Sequence, residues 1–169
     1  MFKLINKIDT SAKDTQKNAI GLALISLAII VSVSQEPNHY SNKLFDENQQ
    51  LVSQDLDSPW FKVSTNEGLT FVIDEKQYNE LKKDLPNLTE ITKVNDRDEE
   101  GKALIDLTQV KAIVEQVHVQ ECDKDGNLKV DDKGNPVYKP TKYAILRRDG
   151  QPFYVYEKEF QRLTKLLTK

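Results

Sequence analysis

The stretch YAILRRDGQPFYVYEKEFQRLTKLL, residues 143–167, has an echo 82 positions earlier in FKVSTNEGLTFVIDEKQYNELKKDL, residues 61–85. The two align without a gap. Gly68/Gly150, Phe71/Phe153, Glu75/Glu157, Lys76/Lys158, Leu81/Leu163, Lys83/Lys165 and Leu85/Leu167 are identical, and Phe61/Tyr143, Val63/Ile145, Ile73/Val155 and Tyr78/Phe160 keep their chemistry. Each stretch opens with alternating apolar residues. A polar turn with glycine follows, Asn66-Glu67-Gly68 or Arg148-Asp149-Gly150, where glycine is expected to supply a positive φ. A second short apolar run comes next. The period then changes from two to about 3.6, which sets Tyr78, Leu81 and Leu85 on one helical face, and Phe160, Leu163 and Leu167 on another. Asp74 is a suitable N-cap, with Gln77 three residues on. Tyr156 is a weaker start to the second helix. Pro86 stops the first helix. Each unit reads as a β-hairpin followed by a helix.

Outward from this unit, residues 88–94, 103–107 and 110–120 read as strands of a meander. Residues 121–140 carry the turn signals Asp125-Gly126-Asn127 and Lys133-Gly134-Asn135, which predict an exposed hairpin arm. Upstream, AIGLALISLAIIVSV (residues 19–33) holds no charge. As a helix it would cover about 22 Å, against a bilayer core of about 30 Å. It nevertheless reads as a single-pass anchor built on Ile20, Leu22, Leu24, Ile25, Leu27, Ile29, Ile30 and Val31, with Lys17 snorkelling. The alternatives are the apolar core of a signal peptide, with Ser32 and Ser34 before Gln35, or a helix buried in a larger assembly.

The expected fold class is therefore α+β: an N-terminal hydrophobic helix, then a small mixed domain in which two ββα units, about 61–85 and 143–167, flank a β-meander. The expected organisation is a basic amphipathic segment at 1–18, an anchor helix at 19–34, a polar linker at 35–58 and a soluble domain at 59–169. Residues 1–34 carry four lysines against two aspartates. That bias places the N-terminus on the cytoplasmic or interior side and the C-terminal domain on the other.

Chemistry is sparse in this sequence. The formal charge of −3 argues against a general nucleic-acid binder. A single cysteine, Cys122, excludes an intramolecular disulfide and a thiolate-rich zinc site. Asp123, Asp125 and Asn127 suggest a calcium loop, but its sixth and twelfth positions hold Leu128 and Gly134 instead of glycine and glutamate. His39 and His118 stand in no nucleophile–base spacing. Asp98, Glu99 and Glu100 fall in a solvated turn. No phosphate-binding loop is present, and no cofactor, metal or small-molecule substrate is expected.

These absences point to a non-enzymatic structural or accessory protein acting through protein contacts. Membrane attachment would make it a subunit of an envelope complex or of a membrane-containing virus particle, with a lipid bilayer and other subunits as its partners. The rival is a secreted or periplasmic binding protein with residues 1–34 as signal peptide. Candidate contact residues are Asp131, Asp132, Val137 and Tyr138 on the arm, and Arg147, Arg148, Lys158 and Arg162 in the basic C-terminal unit.

Overall fold

A computed structural model describes residues 1–9, 18–36, 43–45, 48, 50–54 and 59–169. The described chain is mostly antiparallel strand, with two α-helices. It divides into two compact units, residues 1–108 and 109–169.

The first unit contains β1 (Phe2–Asp9), β2 (Asn18–Ser26), β3 (Ile30–Gln35), β4 (Lys43–Phe45), β5 (Leu51–Gln54), β6 (Trp60–Thr65), β7 (Thr70–Asp74), α1 (Glu75–Asp84), β8 (Thr89–Val94) and β9 (Glu100–Ile105). Its sheet runs β8-β9-β3-β6-β7-β1-β2-β4-β5. Neighbours are antiparallel except β2 and β4, which meet in parallel at Asn18 and Ala19. Helix α1 starts where Asp74 accepts the Gln77 N–H at 2.9 Å. It lies over a cluster that includes Ile5, Ile25, Ile30, Val33, Phe61, Val63 and Ile73. Tyr78 stacks on Phe61 with centroids 3.9 Å apart, and Leu81 is fully enclosed. Each such apolar side chain contributes about 1.5–3 kcal/mol on burial.

Among the described residues no α-helix forms in the N-terminal region, which corrects the expected fold class. Residues 19–33 instead complete β2, pass through a 3₁₀ turn at Leu27–Ile29 and enter β3. Ile25 and Ile30 are core residues, and Leu27 and Ile29 pack against the core. Val31 is half-buried, whereas Leu22 and Leu24 are exposed; Ile20 lies in β2. The apolar run is too short for a bilayer-spanning helix, and its isoleucines and valines suit a pleated, half-buried surface. Among the described residues, no helix is long and apolar enough to cross a membrane. The single-pass anchor and the sidedness derived from it are therefore withdrawn. The expected basic amphipathic segment at 1–18 is, over Phe2–Asp9, strand β1. Residues 10–17 lie outside the described residues, as do His39 and much of the expected linker.

The second unit holds β10 (Val110–Glu115), β11 (Lys142–Arg147), β12 (Phe153–Tyr156) and α2 (Glu157–Leu167). The strands form an antiparallel meander, β10-β11-β12. Tyr143 stacks on Phe160 with centroids 4.1 Å apart, while Ile145, Val155 and Leu163 are fully buried. Tyr156 makes no side-chain cap to α2. Glu157 and Glu159 in the first turn suit the helix dipole instead.

The internal likeness extends well beyond the two hairpin–helix units. Val33 faces Val63, and Ile113 faces Ile145. Both ladders shift register at the same place, between Ile30 and Ser32 and between Val110 and Ala112. Asn66 N–H donates to Ile29 O at 2.9 Å, as Arg148 N–H does to Gln109 O. Glu36 N–H donates to Trp60 O at 2.8 Å, as Gln116 N–H does to Lys142 O at 2.9 Å. Upstream of both ladders, Gly21-Leu22-Ala23-Leu24-Ile25-Ser26-Leu27 matches Gly101-Lys102-Ala103-Leu104-Ile105-Asp106-Leu107, identical at five of seven positions. Both heptads run along a strand and into a 3₁₀ turn. The repeat is thus strand, 3₁₀ turn, strand, long connection, hairpin and helix. The offset between copies grows by two residues across the long connection.

The hairpin turns differ in detail. Gly68 has φ +82°, as the sequence predicts. Gly150 lacks that conformation; a Cβ there would come within 3.1 Å of the Arg147 guanidinium. Its role is to leave room. Thr65 holds its turn by donating its hydroxyl to Leu69 O at 3.1 Å, and Arg147 does the same at the equivalent place by donating Nη1–H to Gln151 O at 3.2 Å.

Candidate interaction arm

Residues 116–141 leave β10 and return to β11. Their framework is a ring of three backbone hydrogen bonds. Glu121 N–H donates to Val137 O at 2.7 Å, Lys129 N–H to Glu121 O at 2.8 Å, and Val137 N–H to Lys129 O at 3.1 Å. The eight-residue spacing of these positions turns one expected hairpin into a fork. Its stem carries the Gln120/Tyr138 bridge, and its two fingers carry the bridges Cys122/Leu128 and Val130/Pro136.

Each finger ends in the same turn. Asp123 Oδ1 accepts the N–H groups of Asp125 and Asn127, both at 2.9 Å. Asp131 Oδ1 accepts those of Lys133 and Asn135, at 2.8 and 2.9 Å. Gly126 and Gly134 supply the positive φ that completes each turn. The backbone N–H groups of Asn127 and Asn135 favour the ionised carboxylates, so Asp123 and Asp131 sit below the usual aspartate range. These aspartates close turns, which accounts for the incomplete calcium pattern. No group of three His, Cys, Asp or Glu side chains converges as metal ligands among the described residues.

The backbone of the fork is well bonded, yet most of its apolar side chains are open. Val117 is 88% exposed and Leu128 63%, and Val119, Val130 and Tyr138 are also exposed. His118 meets Tyr138 edge-on at 6.0 Å and lies 3.2 Å from Glu115. Lys129 approaches Glu121 at 3.5 Å.

The structure separates the candidate contact residues. Asp132 and Tyr138 present their side chains to solvent, Val137 is half-buried at the hub, and Asp131 closes a finger. Arg148, Lys158 and Arg162 are exposed, and Arg162 is ion-paired with Glu159. Arg147 is not presented to solvent. Its guanidinium lies 2.9 Å from Asp149 and 4.9 Å from the Phe153 ring centroid. The candidate contact residues leave out the exposed Val117, Val119, Leu128 and Val130, whose alternation with polar residues is visible in the sequence.

One further hollow, of about 60 Å³, lies in the first unit among Gln35, Glu36, Lys93, Asn95 and Glu99. Burial holds the Lys93 ammonium below its usual pKa, against the opposing pull of Glu36. Comparison with known protein families, curated proteins and solved structures returns no significant match.

Proposed function

We propose that this protein is a non-enzymatic structural or accessory subunit that works through protein contacts, with the 116–141 arm as its contact surface. The observation that carries this reading is the pairing of a hydrogen-bonded fork with uncovered apolar side chains. A preorganised backbone lowers the entropy lost on binding, and exposed valine, leucine and tyrosine side chains provide apolar area to bury. Mixed charges at the finger tips, from Lys124, Asp125, Asp132 and Lys133, suit a polar rim around that apolar patch. The envelope setting expected from the sequence is dropped together with the anchor. The rival signal-peptide reading has less support, because Ile5, Ile25, Ile30 and Val33 of the core come from residues 1–34.

The test replaces residues 123–136 by an Asn-Gly turn and compares both full-length proteins. The parent should co-purify with a stoichiometric partner and form a photo-cross-link to it from position 138. The shortened chain should keep its fold and lose that partner. Equal partner recovery by a folded, shortened chain would overturn the reading.

A further inference from the structure

We propose that the outer edge of β2, residues 21–26, pairs with β10 of a second copy of this chain. The reason lies in a pairing that the first unit already contains. There β9 lies beside β3, with Ile105 opposite Ser32, Leu104 opposite Val33 and Ala103 opposite Ser34. The repeat makes β2 the counterpart of β9, and β10 the counterpart of β3. Carried over, the same register sets Ile25 opposite Ala112, Leu24 opposite Ile113 and Ala23 opposite Val114.

Both edges are open to it among the described residues. β2 meets β4 only at Asn18 and Ala19, and β10 pairs only with β11. Leu104, held in the β9–β3 pairing, is 1% exposed, whereas its counterpart Leu24 is 70% exposed. Gly101 adjoins the Gln35 side chain so closely that a Cβ would approach it to 3.2 Å. Gly21 repeats that residue, and Glu115 repeats Gln35. An apolar strand edge of this kind is a template for another strand. The two surfaces differ, so the contact is head-to-tail: copies close into a ring or extend into a filament. This surface uses none of the finger residues 123–136 of the arm.

Two full-length single-cysteine variants test the register, Leu24→Cys and Ile113→Cys, each in a Cys122→Ser background. Oxidation of the mixture should give a covalent dimer that neither variant gives alone. In sedimentation, the parent should form concentration-dependent oligomers. Leu24→Lys, a change at an exposed side chain, should weaken association at least tenfold. The arm-shortened chain should still associate, which separates this proposal from the arm reading. A parent that stays monomeric to its solubility limit overturns the proposal. So does a mixture that gives no covalent dimer, or association that Leu24→Lys leaves unchanged.

Discussion

Tyr78 joins two kinds of interaction, a ring stacked on Phe61 and a hydroxyl donating to Glu90 at 2.7 Å. Burial, followed by the hydrogen bond and charge of Glu90, raises the phenol far above its ordinary value. A raised folded-state pKa gives stability that is whole below about pH 10 and is lost as pH climbs past it. Burial pulls Glu90 upward, but hydrogen bonds from Tyr78 and Lys82 outweigh it, so the carboxyl titrates below the usual range. Its contribution is present above about pH 4.3 and is lost as pH falls further. Tyr78→Phe should therefore flatten both limbs of a thermal midpoint–pH profile, most clearly above about pH 10. Unchanged slopes would show that the pair contributes nothing. Leu81 and Leu163 occupy equivalent, fully buried positions. Each Leu→Ala change should cost about 2–5 kcal/mol in denaturant unfolding. These residues were legible because helical periodicity isolates them. The role of Gly150 was not, because room for a guanidinium depends on where Arg147 folds, and local sequence does not carry that.

At the scale of the element, residues 1–34 carry the main correction. They supply β1, β2 and most of β3, with four residues of the central cluster. Deleting them should abolish folding of the rest of the first unit, read as loss of dispersed NMR signals from residues 59–108. A 35–169 fragment in which residues 59–108 stay folded would contradict this placement. The error has a physical origin. An uncharged run of small and branched apolar residues satisfies a membrane helix by composition, while burial on alternate faces is masked when both faces are apolar. The heptad shared by residues 21–27 and 101–107 was the available corrective, since its second copy carries lysine and aspartate and is no membrane segment. The arm was legible as exposed turns, but its fork was not. The hub bonds join positions eight and sixteen residues apart, beyond a single-turn reading. Replacing 123–136 removes the fingers and leaves Glu121 and Val137, so the thermal midpoint should change little.

Across the whole molecule, the central claim is that one repeat occurs twice, in equivalent local registers. The hairpin–helix parts were visible from seven identities, whereas the preceding strand was hidden by divergence from Val31-Ser32-Val33 to Lys111-Ala112-Ile113. Equivalent bulges, hydrogen bonds and ring stacks establish the correspondence where side chains have changed. This likeness also gives the open β2 edge a defined partner strand. The most direct measurement of the central claim is an NMR map of nuclear Overhauser contacts in the full-length protein. The repeat predicts cross-strand contacts pairing Val33 with Val63 and Ile113 with Ile145, together with strand-type contacts through residues 20–26. Helical i to i+3 contacts across 19–33, or a different register in either pair, would contradict it.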